Sequence, residues 1–279
     1  MLNKLIHYEF RATARILGIL YLALIVLSVI NRFSMGVNFM DSDEFNFGVL
    51  SGILVLTLYV VCAAATMILT IVMIVIRFWR NLMENEGYLM HTLPVRARDH
   101  LFSKLLVAFV WMLVSTLAIT ISIWITTSGI DGFENLYPEV SAAISNYFSI
   151  KGSVPCFLLF IVLLIVSTIA EILKLYAAMC LGQSLSEHRV AASIGIYVGF
   201  NILESIFESV IIMISGITQL SVSDPWFSSF YPAISDTGAI TDLSGFAALE
   251  ALGLLLPVLY SVMYFFLSKY FLEKKLNLV

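Results

Sequence analysis

Hydrophobic residues form six long blocks along the chain, separated by more polar stretches. A bilayer core of about 30 Å needs roughly 20 helical residues at about 1.5 Å each. The pattern therefore predicts an all-α polytopic membrane protein, a single transmembrane domain over residues 1–279. Its six spans are expected at about residues 16–31, 47–76, 104–127, 154–176, 190–217 and 246–268.

Residues 2–15, before the first span, have the pattern of an amphipathic helix. At about 100° per residue, Lys4, Arg11 and Arg15 share one face while apolar side chains lie opposite. A basic amphipathic helix lies in the membrane interface with its cations near anionic headgroups. Glu9 is the exception on the apolar face. It either snorkels or pairs with an arginine of a neighbouring segment, or it docks a cytoplasmic partner.

Composition and charge fix the class of protein and its orientation. With 60% hydrophobic and 12% charged residues, the chain is too apolar for a soluble domain or a disordered tail. Its net charge of −4 argues against nucleic-acid binding. With six spans, the two termini and every second connection lie on one side of the membrane. That side holds 13 of the 15 basic residues, all but Arg32 and Lys151. By the positive-inside rule, this distribution predicts that both termini are cytoplasmic.

The longest predicted cytoplasmic connection, residues 77–103, has room for one short helix at 84–93. Pro94 would end this helix, because a residue that precedes proline avoids the helical region. Leu89 and Leu93 lie four residues apart, so they form an apolar edge that fits a groove in another protein. The alternative is a loop that only caps the bundle.

Several ionisable residues fall inside predicted spans, where each costs roughly 2.5–3.5 kcal/mol on insertion scales. Glu171 and Lys174 are predicted to form an interfacial pair near the inner end of the fourth span. A polar stripe follows the fifth span, and Glu250 lies early in the sixth. The stripe either joins helices through hydrogen bonds or lines a translocation path for cationic cargo. Its residues are Tyr197, Asn201, Glu204 and Glu208.

Catalytic and metal-binding motifs are not found in the sequence. There is no phosphate-binding loop of the G-x-x-x-x-G-K-[ST] type, so we expect no ATP site in this chain and no enzyme activity of its own. The cysteines, Cys62, Cys156 and Cys180, have neither disulfide nor zinc spacing. We expect no metal and treat them as packing residues.

Two stretches resemble a known family. They are residues 1–15, MLNKLIHYEFRATAR, and 84–111, ENEGYLMHTLPVRARDHLFSKLLVAFVW. Both are similar to bacterial ABC-2 type transporter permeases of Gram-positive gut organisms. That family often shows a pattern of an acid and glycine, then leucines, a Pro-Val or similar pair, and a Gly-Lys or Ser-Lys that opens the third span. Here it falls on Glu86-Gly87, Leu89, Leu93, Pro94-Val95 and Ser103-Lys104. Tyr88 departs from it, since many relatives carry Thr there.

The resemblance implies an export subunit in the bacterial cytoplasmic membrane without its own motor. ATP and Mg would bind a separate ATP-binding subunit, and a second permease subunit, identical or related, would complete a central path. Residues 84–93 would be the coupling helix, with its contacts at Glu84, Glu86, Gly87, Tyr88, Leu89, Leu93 and Pro94. Residues 2–15 would be the connecting helix, with Glu9, Arg11 and Arg15.

Two other functions remain open. An ion-coupled secondary transporter would use Glu204, Glu208 and Glu250 as proton carriers. A scaffold or sensor subunit would use the polar stripe only to hold helices together. For an exporter, the acidic stripe favours a cationic amphipathic peptide, while lipids and drugs remain alternatives.

Overall fold

The structure is a computed structural model that describes residues 2–38, 47–83, 97–128, 136–184, 188–219, 233–234 and 240–274. Its first three helices are α1 (Leu2–Asn38), α2 (Phe47–Met83) and α3 (Ala97–Thr127). At about 1.5 Å per residue each is roughly 45–55 Å long, more than a bilayer core needs. Together, α1, α2 up to Asn81, and α3 belong to one compact unit.

Within this first unit, α1 and α3 pack along their length and run parallel. Two hydrogen-bonded pairs, Glu9–Lys104 and Tyr21–Ser115, have nearly equal sequence offsets of 95 and 94. Leu17, Val107 and Trp111 form the buried apolar contact between them. The Phe10 ring stacks on the Trp111 ring at 4.6 Å.

Hydroxyl groups attach α2 to α3. Thr70 and Ser115 place their oxygens 2.8 Å apart, and Tyr59 and Ser122 place theirs 3.0 Å apart. Interhelical hydrogen bonds of this kind hold membrane helices together because lipid supplies no competing partner. The unit is therefore joined by both apolar packing and hydroxyl contacts.

Five more helices, the first of them from Ser141 onward, and one strand pair make up most of the second unit. They are α4 (Leu136–Ser149), α5 (Ser153–Gln183), α6 (Arg189–Gln219), β1 (Ala233–Ile234), β2 (Ile240–Asp242), α7 (Ser244–Gly253) and α8 (Leu255–Lys274). Helix α5 is central and packs against α6, α7 and α8. Its residues 176–180 are buried on every face, as expected for a helix enclosed by others.

A tight turn between α4 and α5 contacts the start of α7 through a hydrogen bond and an ion pair. Gly152 has φ +83°, a left-handed conformation that side chains rarely adopt. A Cβ there would lie 2.5 Å from the Ser244 nitrogen, so only glycine fits. The Leu243 N–H donates to the Lys151 carbonyl at 2.8 Å, and the Lys151 ammonium meets the Asp242 carboxylate at 3.1 Å.

Asp242 also receives a hydrogen bond from the Ser244 N–H at 2.8 Å. Hydrogen bonds from Ser244, together with Lys151, lower the pKa of Asp242 to about 2. A carboxyl with a lowered pKa stabilises the folded state above its ordinary pKa and loses that contribution as pH falls towards the lowered value. The contact is therefore constant throughout the physiological pH range.

Six helices in the described part of the chain are long and apolar enough to span a membrane. They confirm the predicted all-α, six-span fold and define a multi-pass membrane protein. The spans are Ile6–Ser34, Leu50–Arg80, Arg98–Thr127, Ser153–Gln183, Arg189–Val210 and Ser244–Leu272.

The sequence-based expectation differs from the structure in three places. Helix α1 is one helix from Leu2, with no break after residue 15, so the interfacial position of residues 2–15 stays a prediction. The predicted last outer connection holds the strand pair. The last span is interrupted at Leu254 between α7 and α8. Pro257 lacks the N–H that would bond to the carbonyl of residue 253, which explains this interruption.

Candidate functional site

Lys174 is the centre of a buried polar cluster in the second unit, and its side chain is only 2% exposed. Its ammonium donates to the Glu171 carboxylate at 2.7 Å, to the Glu204 carboxylate at 2.6 Å and to the Asn201 side-chain oxygen at 3.1 Å. An ammonium has three N–H donors. Every donor of Lys174 is therefore in use.

Glu204 accepts a hydrogen bond on each carboxylate oxygen. Lys174 contacts one oxygen, and the Tyr264 hydroxyl of α8 donates to the other at 2.7 Å. The Asn201 amide nitrogen donates to the Tyr197 carbonyl, and the Tyr197 ring centroid lies 5.6 Å from the Lys174 nitrogen. We name Glu171, Lys174, Tyr197, Asn201, Glu204 and Tyr264 the Lys174 cluster.

A close approach between α5 and α6 allows this cluster to form. A Cβ at Gly182 would overlap the Ser193 side chain and lie 2.6 Å from the Ser193 nitrogen. The missing side chain lets the two backbones come together, as small residues do in membrane helix pairs. From that contact the antiparallel helices diverge little, so Lys174 reaches Asn201 and Glu204.

The depth of the cluster follows from the helix rise. Lys174 is 21 residues after the start of α5, and Tyr264 is 20 residues after the start of α7. Both counts place the cluster about 30 Å from the predicted outer ends of these helices. That distance is about one bilayer core, so the cluster belongs to the predicted inner boundary.

The predicted Glu171–Lys174 pair is confirmed, but Lys174 is buried instead of snorkelling as an interfacial pair would. Lys174 does not extend to water, because acceptors on α6 are within reach of its ammonium. Glu171 carries the exposed end of the pair, with 54% of its side chain accessible. The cluster is therefore an interhelical network rather than a snorkelling pair.

The structure separates the five residues assigned to a translocation path. Tyr197, Asn201 and Glu204 belong to the Lys174 cluster. Glu208 is exposed one turn further along α6. In the described part of the chain, no hydrogen bond joins it to the cluster. A role of these residues in translocation stays a prediction.

Glu250 belongs to a different group, close to the start of α5. The Cys156 thiol donates to its carboxylate at 3.2 Å, and the nearby Tyr147 hydroxyl contacts the Ser153 carbonyl at 3.4 Å. Desolvation raises the pKa of Tyr147, and hydrogen bonding to Cys156 adds to the shift. Glu250 therefore joins α7 to α5.

Glu9 is the centre of a second charged cluster, in the first unit. Its carboxylate lies 2.7 Å from the Lys104 ammonium and 3.5 Å from the Arg77 guanidinium. Side-chain exposure is 8% at Glu9 and 3% at Lys104, so water does not screen this pair strongly. Pairing with an arginine of a neighbouring segment is confirmed. We name Glu9, Arg77 and Lys104 the Glu9 cluster.

Arg11 and Arg15 are exposed on the opposite face of α1. The predicted coupling residues lie outside the described part of the chain. They are Glu84, Glu86, Gly87, Tyr88, Leu89, Leu93 and Pro94. Among the described residues, no group of three or more His, Cys, Asp or Glu side chains is arranged to hold a metal.

Sequence reasoning did not foresee the bond between Lys174 and Glu204, or the part played by Tyr264. The sequence did contain one signal. An intramembrane lysine needs an acidic partner, and Glu204 is an acidic residue in the next predicted span. Pairing residues on α5 and α6 also requires the register of the helices, which the contact at Gly182 sets.

Comparisons with protein-family models, curated proteins and solved structures find no match to this chain.

Proposed function

We propose that this chain is the permease subunit of an ATP-driven exporter of the ABC-2 type. Its place would be the bacterial cytoplasmic membrane, with both termini in the cytoplasm. ATP and Mg would bind a partner ATPase, and a second permease subunit would complete the path. The multi-pass helical fold supports the proposal, as does the resemblance of residues 1–15 and 84–111.

The observation that carries the proposal is the Glu9 cluster. Arg77 lies seven residues before residue 84, near the end of α2, and Lys104 lies just after the start of α3. Both contact Glu9 of α1. Helices α2 and α3, which flank segment 84–93, are therefore linked to α1 by ion pairs. These ion pairs lie close to the segment that a partner ATPase would move.

This arrangement would let one push move three helices together. Closure of the partner ATPases on ATP would displace the coupling segment. Because Glu9 and Lys104 are buried, this pair separates only at a high free-energy cost. Arg77, which is partly exposed, links α2 to the pair, and α1, α2 and α3 would move as a body. The cargo path would then open or close through these rigid helices.

Proton carriage by Glu204 receives less support. Both of its oxygens hold hydrogen bonds, one from a fixed ammonium. A carrier that releases and takes up protons needs a free oxygen facing a path. This geometry favours a structural role for Glu204 over the secondary-transporter alternative.

The test combines Leu89→Ala in the proposed coupling segment with a control, Leu158→Ala, on an exposed face of α5. The chain is purified with its ATP-binding companion and reconstituted in vesicles. We expect Leu89→Ala to reduce cargo-stimulated ATP hydrolysis by about tenfold, the effect of losing roughly 1.4 kcal/mol of contact. Leu158→Ala should leave hydrolysis unchanged.

Membrane insertion of both variants is checked by extraction and size-exclusion chromatography. Cargo movement by the purified chain in the absence of any ATPase would contradict the proposal. Full ATPase coupling in Leu89→Ala would remove the assigned role of segment 84–93.

A further inference from the structure

The seam between α1 and α3 changes from apolar to polar towards the C-terminal ends of the two helices. On α1, the side chains that face this seam recur at three and four residues, which keeps them on one face. Leu17 and Leu24 are its apolar members, and Ser28 and Asn31 follow them. Ser28 and Asn31 are completely buried, so neither side chain contacts lipid or bulk water.

The register of the two parallel helices places polar residues of α3 at the same level. The hydrogen-bonded pairs that join α1 to α3 have sequence offsets of 95 and 94. The same offsets set Asn31 level with Thr126, and Ser28 level with Ser122. Thr126 is 5% exposed and Ser122 is completely buried. Four buried polar side chains therefore share this end of the seam.

Two of these four side chains already have hydrogen-bond partners. The hydroxyls of Ser28 and Ser122 donate to carbonyl groups of their own helices, at 2.7 and 2.8 Å. Both polar atoms of the Asn31 amide and the hydroxyl of Thr126 are buried without a partner among the described residues. Thr126 differs in this from its neighbour Thr127, whose hydroxyl donates to a carbonyl of α3 at 3.0 Å.

The chemistry of these free groups selects the kind of partner. Buried polar groups in proteins are nearly always hydrogen-bonded, either to protein or to ordered water. The Asn31 amide has N–H donors and a carbonyl acceptor, so it needs a partner that both accepts and donates. A cation would satisfy only the oxygens, and an anion only the N–H and O–H groups. Water does both, and a buried water typically makes about three hydrogen bonds.

Space and access also favour water at this level. Leu17 and Trp111 fill the seam further along, whereas the smaller Ser28 leaves more of the volume between the helices open. Asn31 is 22 residues after Glu9, which is about 33 Å along α1 and slightly more than a bilayer core. The site is therefore close to the membrane boundary opposite to the Glu9 cluster, where water is available.

We propose that Asn31 and Thr126 bind an ordered water molecule between α1 and α3. The water contacts the Asn31 amide on one helix and the Thr126 hydroxyl on the other. It joins the two helices at the end of the seam where apolar packing is replaced by polar side chains. This site is independent of the proposed function, because it concerns the packing of one unit of this chain.

The direct test is solid-state NMR of the full chain in phosphatidylcholine bilayers with deuterated acyl chains. Isoleucine is labelled with ¹³C at its carbonyl, and asparagine with ¹³C and ¹⁵N. Ile30–Asn31 is the only Ile-Asn pair in the sequence, so these labels identify the signals of Asn31. We expect water protons to transfer magnetisation to the Asn31 side-chain nitrogen and not to its helical backbone nitrogen. Asn146, exposed on α4, is the positive control.

A double-mutant cycle supplies a second readout. Thr126→Val and Asn31→Leu each remove one attachment of the water and leave the other group poorly bonded. Each should therefore lower the apparent Tm by about 2–4 °C. The combined variant should lose less than the sum of the two, because neither polar group remains. Thr127→Val is the matched control and should change neither the Tm nor the transfer from water.

Absence of transfer from water to the Asn31 side chain would overturn the inference, and this measurement on the unaltered chain needs no variant to fold. A higher Tm in both single variants would show that the two groups are simply unpaired, and would also overturn it. Non-additive losses of Tm without transfer from water would indicate a direct bond between Asn31 and Thr126 and reject the water.

Discussion

At the scale of single residues, Lys174 is held by three hydrogen bonds. Its ammonium meets three acceptors on two helices, and Glu204 links it further to α8 through Tyr264. A buried ion pair adds little net stability compared with apolar packing, but loss of one partner leaves an uncompensated charge. The two members of the pair must therefore be considered together.

We predict that Lys174→Met lowers the free energy of unfolding by about 3–5 kcal/mol, because Glu204 then stays buried without its cation. The double variant Lys174→Met/Glu204→Gln should recover most of this loss, since no charge remains on Glu204. Glu208→Gln is the control, as an exposed carboxylate on the same helix. The measurement is the apparent Tm in detergent. A double variant as unstable as Lys174→Met would contradict the prediction.

The sequence identified the exact partner of a charged residue only where the two residues are close in the chain. Glu171 and Lys174 are one helical turn apart, so helix periodicity alone pairs them. Glu204 is 30 residues from Lys174. Its assignment to the cluster depends on the register of α5 against α6, which hydropathy does not encode.

At the scale of elements, hydropathy predicted the six spans because lipid requires long apolar helices in which the backbone N–H and C=O groups are hydrogen-bonded to one another. It placed five of the six ends two to seven residues before the end of the helix, because these helices continue beyond the apolar block into more polar sequence. Hydropathy could not predict the β1–β2 pair, whose strands have two and three residues. The turn at Gly152 was equally invisible, since its need for glycine comes from the distant Ser244.

We predict that Gly152→Ala destabilises the second unit by at least about 1–2 kcal/mol. That is the cost of a left-handed conformation for an L-residue, and the overlap with Ser244 adds to it. Gly195→Ala is the control, because a Cβ there meets nothing within 4 Å. It should be neutral or stabilising by up to about 1 kcal/mol, as expected for glycine replaced within a helix.

Hydrogen exchange at the amides of residues 243–250 reports the Gly152 contact directly. Faster exchange in Gly152→Ala, with no change in Gly195→Ala, is the expected result. Equal exchange in the two variants would mean that the turn does not hold α7 in place.

At the scale of the whole molecule, charge asymmetry predicts the direction in which the chain crosses the membrane. Connections on one side contain only Arg32 and Lys151 among the 15 basic residues. Lysine and arginine near the ends of spans are retained in the cytoplasm. The six-span fold then predicts that both termini lie on the same side, in the cytoplasm.

We predict that an impermeant maleimide applied to intact cells labels Ser145→Cys in α4 and does not label Asn277→Cys near the C-terminus. The background is the chain with Cys62, Cys156 and Cys180 replaced by alanine. Asn277→Cys should become reactive once the cells are opened, which controls for its accessibility. Labelling of Asn277→Cys in intact cells would reverse the proposed orientation.

The pairing of Lys174 with a carboxylate on its own helix has a consequence for biosynthesis. The fourth span leaves the ribosome before the fifth, so Glu204 is still inside the ribosome when Lys174 reaches the insertion machinery. Glu171, three residues earlier, already neutralises the ammonium at that moment. The nascent helix thus enters lipid with its charge balanced, and the fifth span completes the network when it arrives.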